Sequence, residues 1–105
     1  MVRLTARAGM RPALLDLLNT YADGLAEEPG TELFIVSLDP GDENIVWLYE
    51  IFADEDAENA HRSSTGFGVL MNAMPPLLNG PPAVLRTVPL RMSMQEGVLS
   101  EDWDF

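Results

Sequence analysis

The chemistry open to this chain centres on one imidazole and one carboxyl group. His61 is the single histidine among 105 residues. A neutral imidazole accepts a proton near physiological pH, so His61 can act as a general base toward an acidic O–H such as a phenol. Glu50 is the one charge in the otherwise apolar run from Ile45 to Ala53. Buried there, its pKa rises, and it becomes a second base or the group that orients His61. Trp47, Tyr49, Phe52 and Phe67 can wall a pocket for a flat aromatic ligand. Phe52, two residues from Glu50, shares its strand face and is the best placed of the four. Each of these residues also has a plainer reading. A helix-end histidine can cap carbonyls and complement the dipole. Glu50 can pair with Arg86 or Arg62, and the aromatic residues can belong to core and interface.

Other chemistries lack their parts. There is no cysteine, hence no disulfide framework, thiolate metal site or cysteine nucleophile. One histidine, with acids placed mainly in turns and helix starts, gives no metal-binding pattern, so no metal is expected. Gly66 and Gly68 lack the strand, turn, helix and lysine of a phosphate loop. Ser63 and Ser64 lie too near His61 in sequence to converge with it as nucleophile and base.

The elements that must position His61 and Glu50 follow from periodicity. Val2 to Arg7 alternates apolar and polar side chains, as a half-buried strand does. After Gly9, Pro12 suits a first helical turn, and Leu14, Leu18, Tyr21 and Leu25 recur at helical spacing until Glu28-Pro29-Gly30 stops them. Thr31–Leu38 and Ile45–Ala53 are strands with apolar residues on both faces, joined by a turn at Asp39-Pro40-Gly41-Asp42. Asp54 can cap a short helix over about 55–61, and Ser63 or Ser64 a second one carrying Phe67, Leu70, Met71 and Met74. A last strand is expected from Ala83 to about Met94, interrupted by Pro89. Strand, helix, strand, strand, helices, strand is the split βαβ plan of an α+β, ferredoxin-like antiparallel sheet. Helices cover one face of that sheet. The apolar other face needs a cover as well, and a second copy of the chain can supply it, so a homodimer is expected.

With 17 acidic against 6 basic residues and a formal charge of −11, the chain would repel nucleic acid and anionic membrane surfaces. No apolar run approaches the length that spans a bilayer, and the first residues lack the apolar core of a signal peptide. The expectation is one soluble, cytoplasmic domain over 1–94 with an acidic tail over 95–105.

In their order, several segments are similar to the antibiotic biosynthesis monooxygenase family. They are Glu28-Pro29-Gly30-Thr31, the turn at Asp39-Pro40, Tyr49-Glu50-Ile51-Phe52, Ala57-Glu58-Asn59-Ala60-His61, Ser63-Ser64, Phe67, and Leu77-Leu78 ahead of Gly80-Pro81-Pro82. The likeness covers roughly 1–90. It implies a dimeric α+β barrel with a cavity between sheet and helices. It also implies a cofactor-free monooxygenase of a small electron-rich aromatic phenol or quinol, for which His61 and Glu50 are the candidate catalytic residues. The alternative is a catalytically silent dimer that binds a small hydrophobic ligand. The chain departs from the family pattern at Phe52, where many members carry Trp, and at Gly66, where many carry a second His. Met71 stands near the histidine position of the haem-degrading branch, so haem is not expected.

Overall fold

A computed structural model describes residues 1–95 and contains one four-stranded antiparallel sheet with helices on one face. The elements run β1 (Val2–Thr5), α1 (Arg11–Asp23), a 3₁₀ turn (Leu25–Glu27), β2 (Thr31–Leu38) and β3 (Ile45–Phe52). They continue with α2 (Glu55–Ser63), α3 (Thr65–Ala73), a second 3₁₀ turn (Pro75–Leu77) and β4 (Ala83–Val84). The strand order is β2-β3-β1-β4. The ferredoxin-like α+β plan read from the periodicity is therefore the observed one.

Leu4, Leu14, Leu18 and Val46 are fully buried and fix how α1 lies on the sheet. Each such side chain contributes about 1.5–3 kcal/mol relative to exposure. Tyr21, Leu70, Met74 and Leu78 complete the core where α1 meets α3 and the chain after it. Pro12 stands at the start of α1, where its missing N–H is no loss. The helix ends at Asp23 rather than running through Leu25, because Gly24 turns the chain into the 3₁₀ segment.

Two side-chain caps set the short helices. The Asp54 carboxylate accepts from the Ala57 N–H at 2.8 Å and starts α2, whose first turn also holds Glu55, Asp56 and Glu58 at the positive dipole end. Ser64, rather than Ser63, begins α3 by accepting from the Phe67 N–H at 3.2 Å.

The hairpin pairs Phe34 with Glu50, Val36 with Leu48 and Leu38 with Val46 on the helix-covered face. A register shift between Thr31 and Leu33 inserts Glu32 as an extra residue. Thr31 therefore sits opposite Phe52 and turns to the helix side with Phe34, although a regular strand would send residues three apart to opposite faces. On the other face lie Leu33, Ile35, Trp47 and Tyr49, most of them half-buried and Ile35 exposed.

The last strand is much shorter than the sequence predicts. Only Ala83 and Val84 pair with β1, and the chain from Leu85 to Gln95 has no regular structure. Next to this pair, Leu85 and Met1 make a reciprocal pair of backbone hydrogen bonds. Pro89 then lacks the N–H that a longer ladder would need. The acidic tail beyond residue 95 lies outside the described residues. Among the described residues no helix is long and apolar enough to cross a membrane.

Candidate active site

His61 lies in the last turn of α2, but it does not cap that helix. Its side chain is buried, 6% exposed, and turns toward the sheet and the end of α1. The docking distance of α2 is set by Gly30 at the entry to β2. A Cβ on Gly30 would lie 2.5 Å from the Ala57 Cβ, so only glycine lets α2 approach this closely. Ala57 is one helical turn ahead of His61, and the same approach brings the imidazole over the sheet.

The imidazole stands between two carboxyl groups and is hydrogen-bonded at Nδ1. Nδ1 lies 2.7 Å from Glu28 Oε1 and 2.8 Å from the Tyr21 hydroxyl. Nε2 faces Glu50 Oε1 at 3.9 Å. Glu28 Oε1 also accepts from the Tyr21 hydroxyl at 3.0 Å and from Thr31 Oγ1 at 3.2 Å. Glu28 Oε2 accepts from Ser64 Oγ at 3.3 Å, the Ser64 proton being shared with the His61 carbonyl at 2.8 Å. No buried side-chain polar atom among the described residues is left without a partner.

The two carboxyls are driven in opposite directions. Burial works to raise the Glu28 pKa, but hydrogen bonds from His61 and Tyr21, the His61 charge and the Thr31 bond outweigh it, and Glu28 is held below the usual carboxylate range. For Glu50 burial dominates; the attraction of His61 offsets only part of it, and its pKa is raised. Tyr21 is pushed up as well, first by burial and then by its bond to the Glu28 carboxylate, so it stays a phenol. An ionised Glu28 can only accept, which puts a proton on His61 Nδ1. In neutral His61 the open acceptor is then Nε2, the nitrogen aimed at Glu50.

Ring contacts close the site. Phe67 and Phe52 pack on the imidazole at centroid distances of 4.6 and 5.0 Å, and Tyr21 meets Phe34 edge-on at 5.1 Å. Two clefts flank the cluster. One, of about 910 Å³, is lined by Tyr49, Glu50, Phe52, Glu58, Arg86 and neighbours from the chain after β4. The other, of about 550 Å³, opens between α1 and the start of α3 and is lined by Leu17, Tyr21, Glu28, Ser64, Gly66 and Val69 among others. His61 lines neither and stands between them. Both volumes suit a small organic ligand.

The residues singled out in the sequence are thus distributed unevenly. His61, Glu50, Phe52 and Phe67 meet in one cluster, and Tyr49 joins Glu50 and Phe52 at the larger cleft. Trp47 is elsewhere: it sits on the opposite sheet face, and its indole N–H donates to Asp39 at 2.9 Å. Arg62 and Arg86 do not pair with Glu50. Both bind Glu58, at 3.4 and 2.6 Å, which leaves Glu50 facing His61. The group that orients His61 is Glu28, which the sequence reading takes as a helix terminator and part of a family-like segment but not as a site residue. Two signals were there. A carboxylate at a helix C-terminus opposes the dipole and needs a local partner, and Tyr21 in an otherwise aliphatic stripe brings a hydroxyl that must be satisfied when buried. Among the described residues no three His, Asp or Glu side chains converge as a metal-holding set.

The antibiotic biosynthesis monooxygenase family matches residues 1–73 of the chain. Among solved structures, Rv0793 from Mycobacterium tuberculosis superposes with a TM-score of 0.79 at 25% identity, over 89% of this chain and 94% of that one. NE2512, a protein of unknown function from Nitrosomonas europaea, superposes with a TM-score of 0.77 at 29% identity, over 91% of each chain. No curated protein sequence matches. A family match over 73 of 105 residues, on the fold and strand order described, places this chain in the antibiotic biosynthesis monooxygenase family.

Proposed function

We propose that this protein is a monooxygenase that oxidises a small electron-rich phenol or quinol with dioxygen and needs neither metal nor flavin. The observation that carries the reading is the Glu28–His61–Glu50 arrangement, in which an oriented imidazole backs a carboxyl of raised pKa at the wall of an aromatic-lined cleft. Both proton-handling groups turn inward, as an acid–base site requires and a plain ligand-binding cavity does not.

The substrate lies along Phe52 and Tyr49 with its hydroxyl at Glu50. Glu50 takes the O–H proton, and His61 Nε2 lies behind it to receive or share that charge. The 3.9 Å gap is one small side-chain movement from a hydrogen bond. The resulting phenolate gives an electron to dioxygen far more readily than the phenol does. Overall a phenol with a free ring position and one dioxygen give a quinone and water. One oxygen atom becomes the new carbonyl, the other leaves as water with the hydroxyl and ring hydrogens, and the four electrons come from the substrate. Oxygen uptake across a panel of phenols and quinols, with a chelated control and ¹⁸O₂ labelling of the product, tests this. Incorporation of one labelled atom is expected. Binding of the same compounds with no oxygen uptake would sink the enzyme reading and leave a ligand-binding module.

The working form in this reading is a homodimer paired through the uncovered sheet face. Leu33, Ile35, Trp47 and Tyr49 supply an apolar surface there, and Leu85, Val88 and Leu90, at 60%, 92% and 100% exposure, continue it along the chain after β4. A second copy covering both would bury more than about 1,000 Å². Since Tyr49 belongs to the face and to the larger cleft, pairing also narrows the cleft's mouth.

A further inference from the structure

His61 stands between two clefts without lining either, and the groups around its two ring nitrogens reach one cleft each. Glu50, on the Nε2 side, lines the larger cleft. Glu28, Tyr21 and Ser64, on the Nδ1 side, line the smaller cleft between α1 and α3. The geometry points to a directional proton path. Protons taken up at the Glu50 side of His61 leave from its Nδ1 side, through Glu28, into the α1–α3 cleft. This rests on the oxygenase reading for the source of the protons, but the path itself is a property of the free protein.

The steps balance without a further reactant. A proton arriving at Nε2 gives an imidazolium; the Nδ1 proton passes over 2.7 Å to Glu28 Oε1; the imidazole is left as the other tautomer. Glu28 releases its proton from the cleft side to water or a small buffer base, for which the smaller cleft has ample room. A turn of the ring, which carries the remaining N–H from the Glu50 side to the Glu28 side, resets the site. The charged or titratable groups nearest the imidazole are Glu28 and Tyr21 at Nδ1 and Glu50 at Nε2, with Glu58, paired to Arg86 and Arg62, farther off but within reach of its charge; Thr31 and Ser64 bond only to Glu28 and to backbone. The arrangement has a functional sense. A substrate seated on Glu50 plugs the larger cleft, and an exit on the opposite side lets the base be reset while the substrate stays bound. Glu28 is thereby a positioning and relay residue, not one that touches substrate.

The single histidine makes the path directly visible. Histidine ¹⁵N-labelled in the ring gives only the two ring nitrogens of His61, so exchange of the Nδ1–H proton with water can be followed without substrate. Buffer-catalysed exchange is expected in the wild type, with a fall of roughly 10²-fold in Glu28→Gln, where the relay carboxylate is gone. Val69→Trp is the deciding arm. Val69 lines the smaller cleft and is 57% exposed, so an indole there shields the cleft without touching the cluster. Slowed exchange in Val69→Trp supports the exit even if Glu28→Gln does not fold. Exchange unchanged in Val69→Trp overturns it, since the protons then leave by the Glu50 side. A failure of the oxygenase reading would show instead as absent oxygen uptake with these exchange rates intact.

Discussion

Glu28 and His61, 33 positions apart, form a 2.7 Å contact in which one carboxylate oxygen also takes hydrogen bonds from Tyr21 and Thr31. The contact binds the end of α1, the start of β2 and the end of α2 at one point. Because the folded state holds Glu28 below the usual carboxylate range, this group contributes stability above its unfolded pKa of about 4.3, and that contribution is lost as pH falls through the folded value. Melting temperatures measured from pH 7 down to pH 3 should therefore drop in the wild type. Glu28→Gln should start lower at neutral pH and drop less steeply. Parallel curves for the two proteins would show that Glu28 is not held ionised by the fold.

Glu50 carries the opposite sign. Its pKa is raised, so whatever stability it adds is present below the unfolded value and lost as pH rises through the folded one. Glu50→Gln should melt higher than the wild type at pH 7–8, with the difference closing below about pH 4. Oxygen uptake in the same variant should fall by at least about 10²-fold, because the substrate-facing proton acceptor is gone. A variant that is destabilised at pH 8 would contradict the burial-driven shift.

His61→Gln tests the base and the scaffold together. Gln can keep one bond to Glu28 but accepts no proton at neutral pH. Turnover of a phenol should fall roughly 10²–10⁴-fold and recover in part as pH approaches the substrate's own pKa. The stability cost should be about 1–3 kcal/mol, that of disturbing a buried polar group with partners, measured by urea denaturation. Full activity at pH 7 would make His61 purely structural.

Gly30→Ala probes positioning without touching the cluster. The added Cβ meets Ala57 at 2.5 Å and must push α2 away from β2. A cost of about 1–3 kcal/mol is expected by the rules of overpacking. The His61 ring ¹⁵N shifts should move as well, since His61 rides on the displaced helix. A stable variant with unchanged shifts would mean that α2 tolerates the strain locally.

Ile35→Lys places a charge on the uncovered sheet face, at a position 42% exposed in the single chain. If that face is the dimer interface, sedimentation equilibrium at micromolar concentration should show a dimer for the wild type and a monomer for the variant. A wild-type monomer under the same conditions would remove the dimer from the proposal.

Local patterning was enough to place most of the elements. Helical spacing from Leu14 to Tyr21, the turn at Asp39-Pro40 and the Asp54 cap are nearest-neighbour effects that hold in any context compatible with the chain. They also determined that His61 ends a helix and that Glu50 and Phe52 share a strand face. What they could not determine is which side of a residue meets what. The Glu32 bulge turned Thr31 to the helix side, and the absence of a Cβ at Gly30 let α2 settle close. Burial then decided that Glu28, not Glu50, orients the imidazole. Periodicity reports on neighbours three or four positions apart, whereas this cluster is made by residues 21, 28, 50 and 61, whose meeting depends on how three packed elements share one volume.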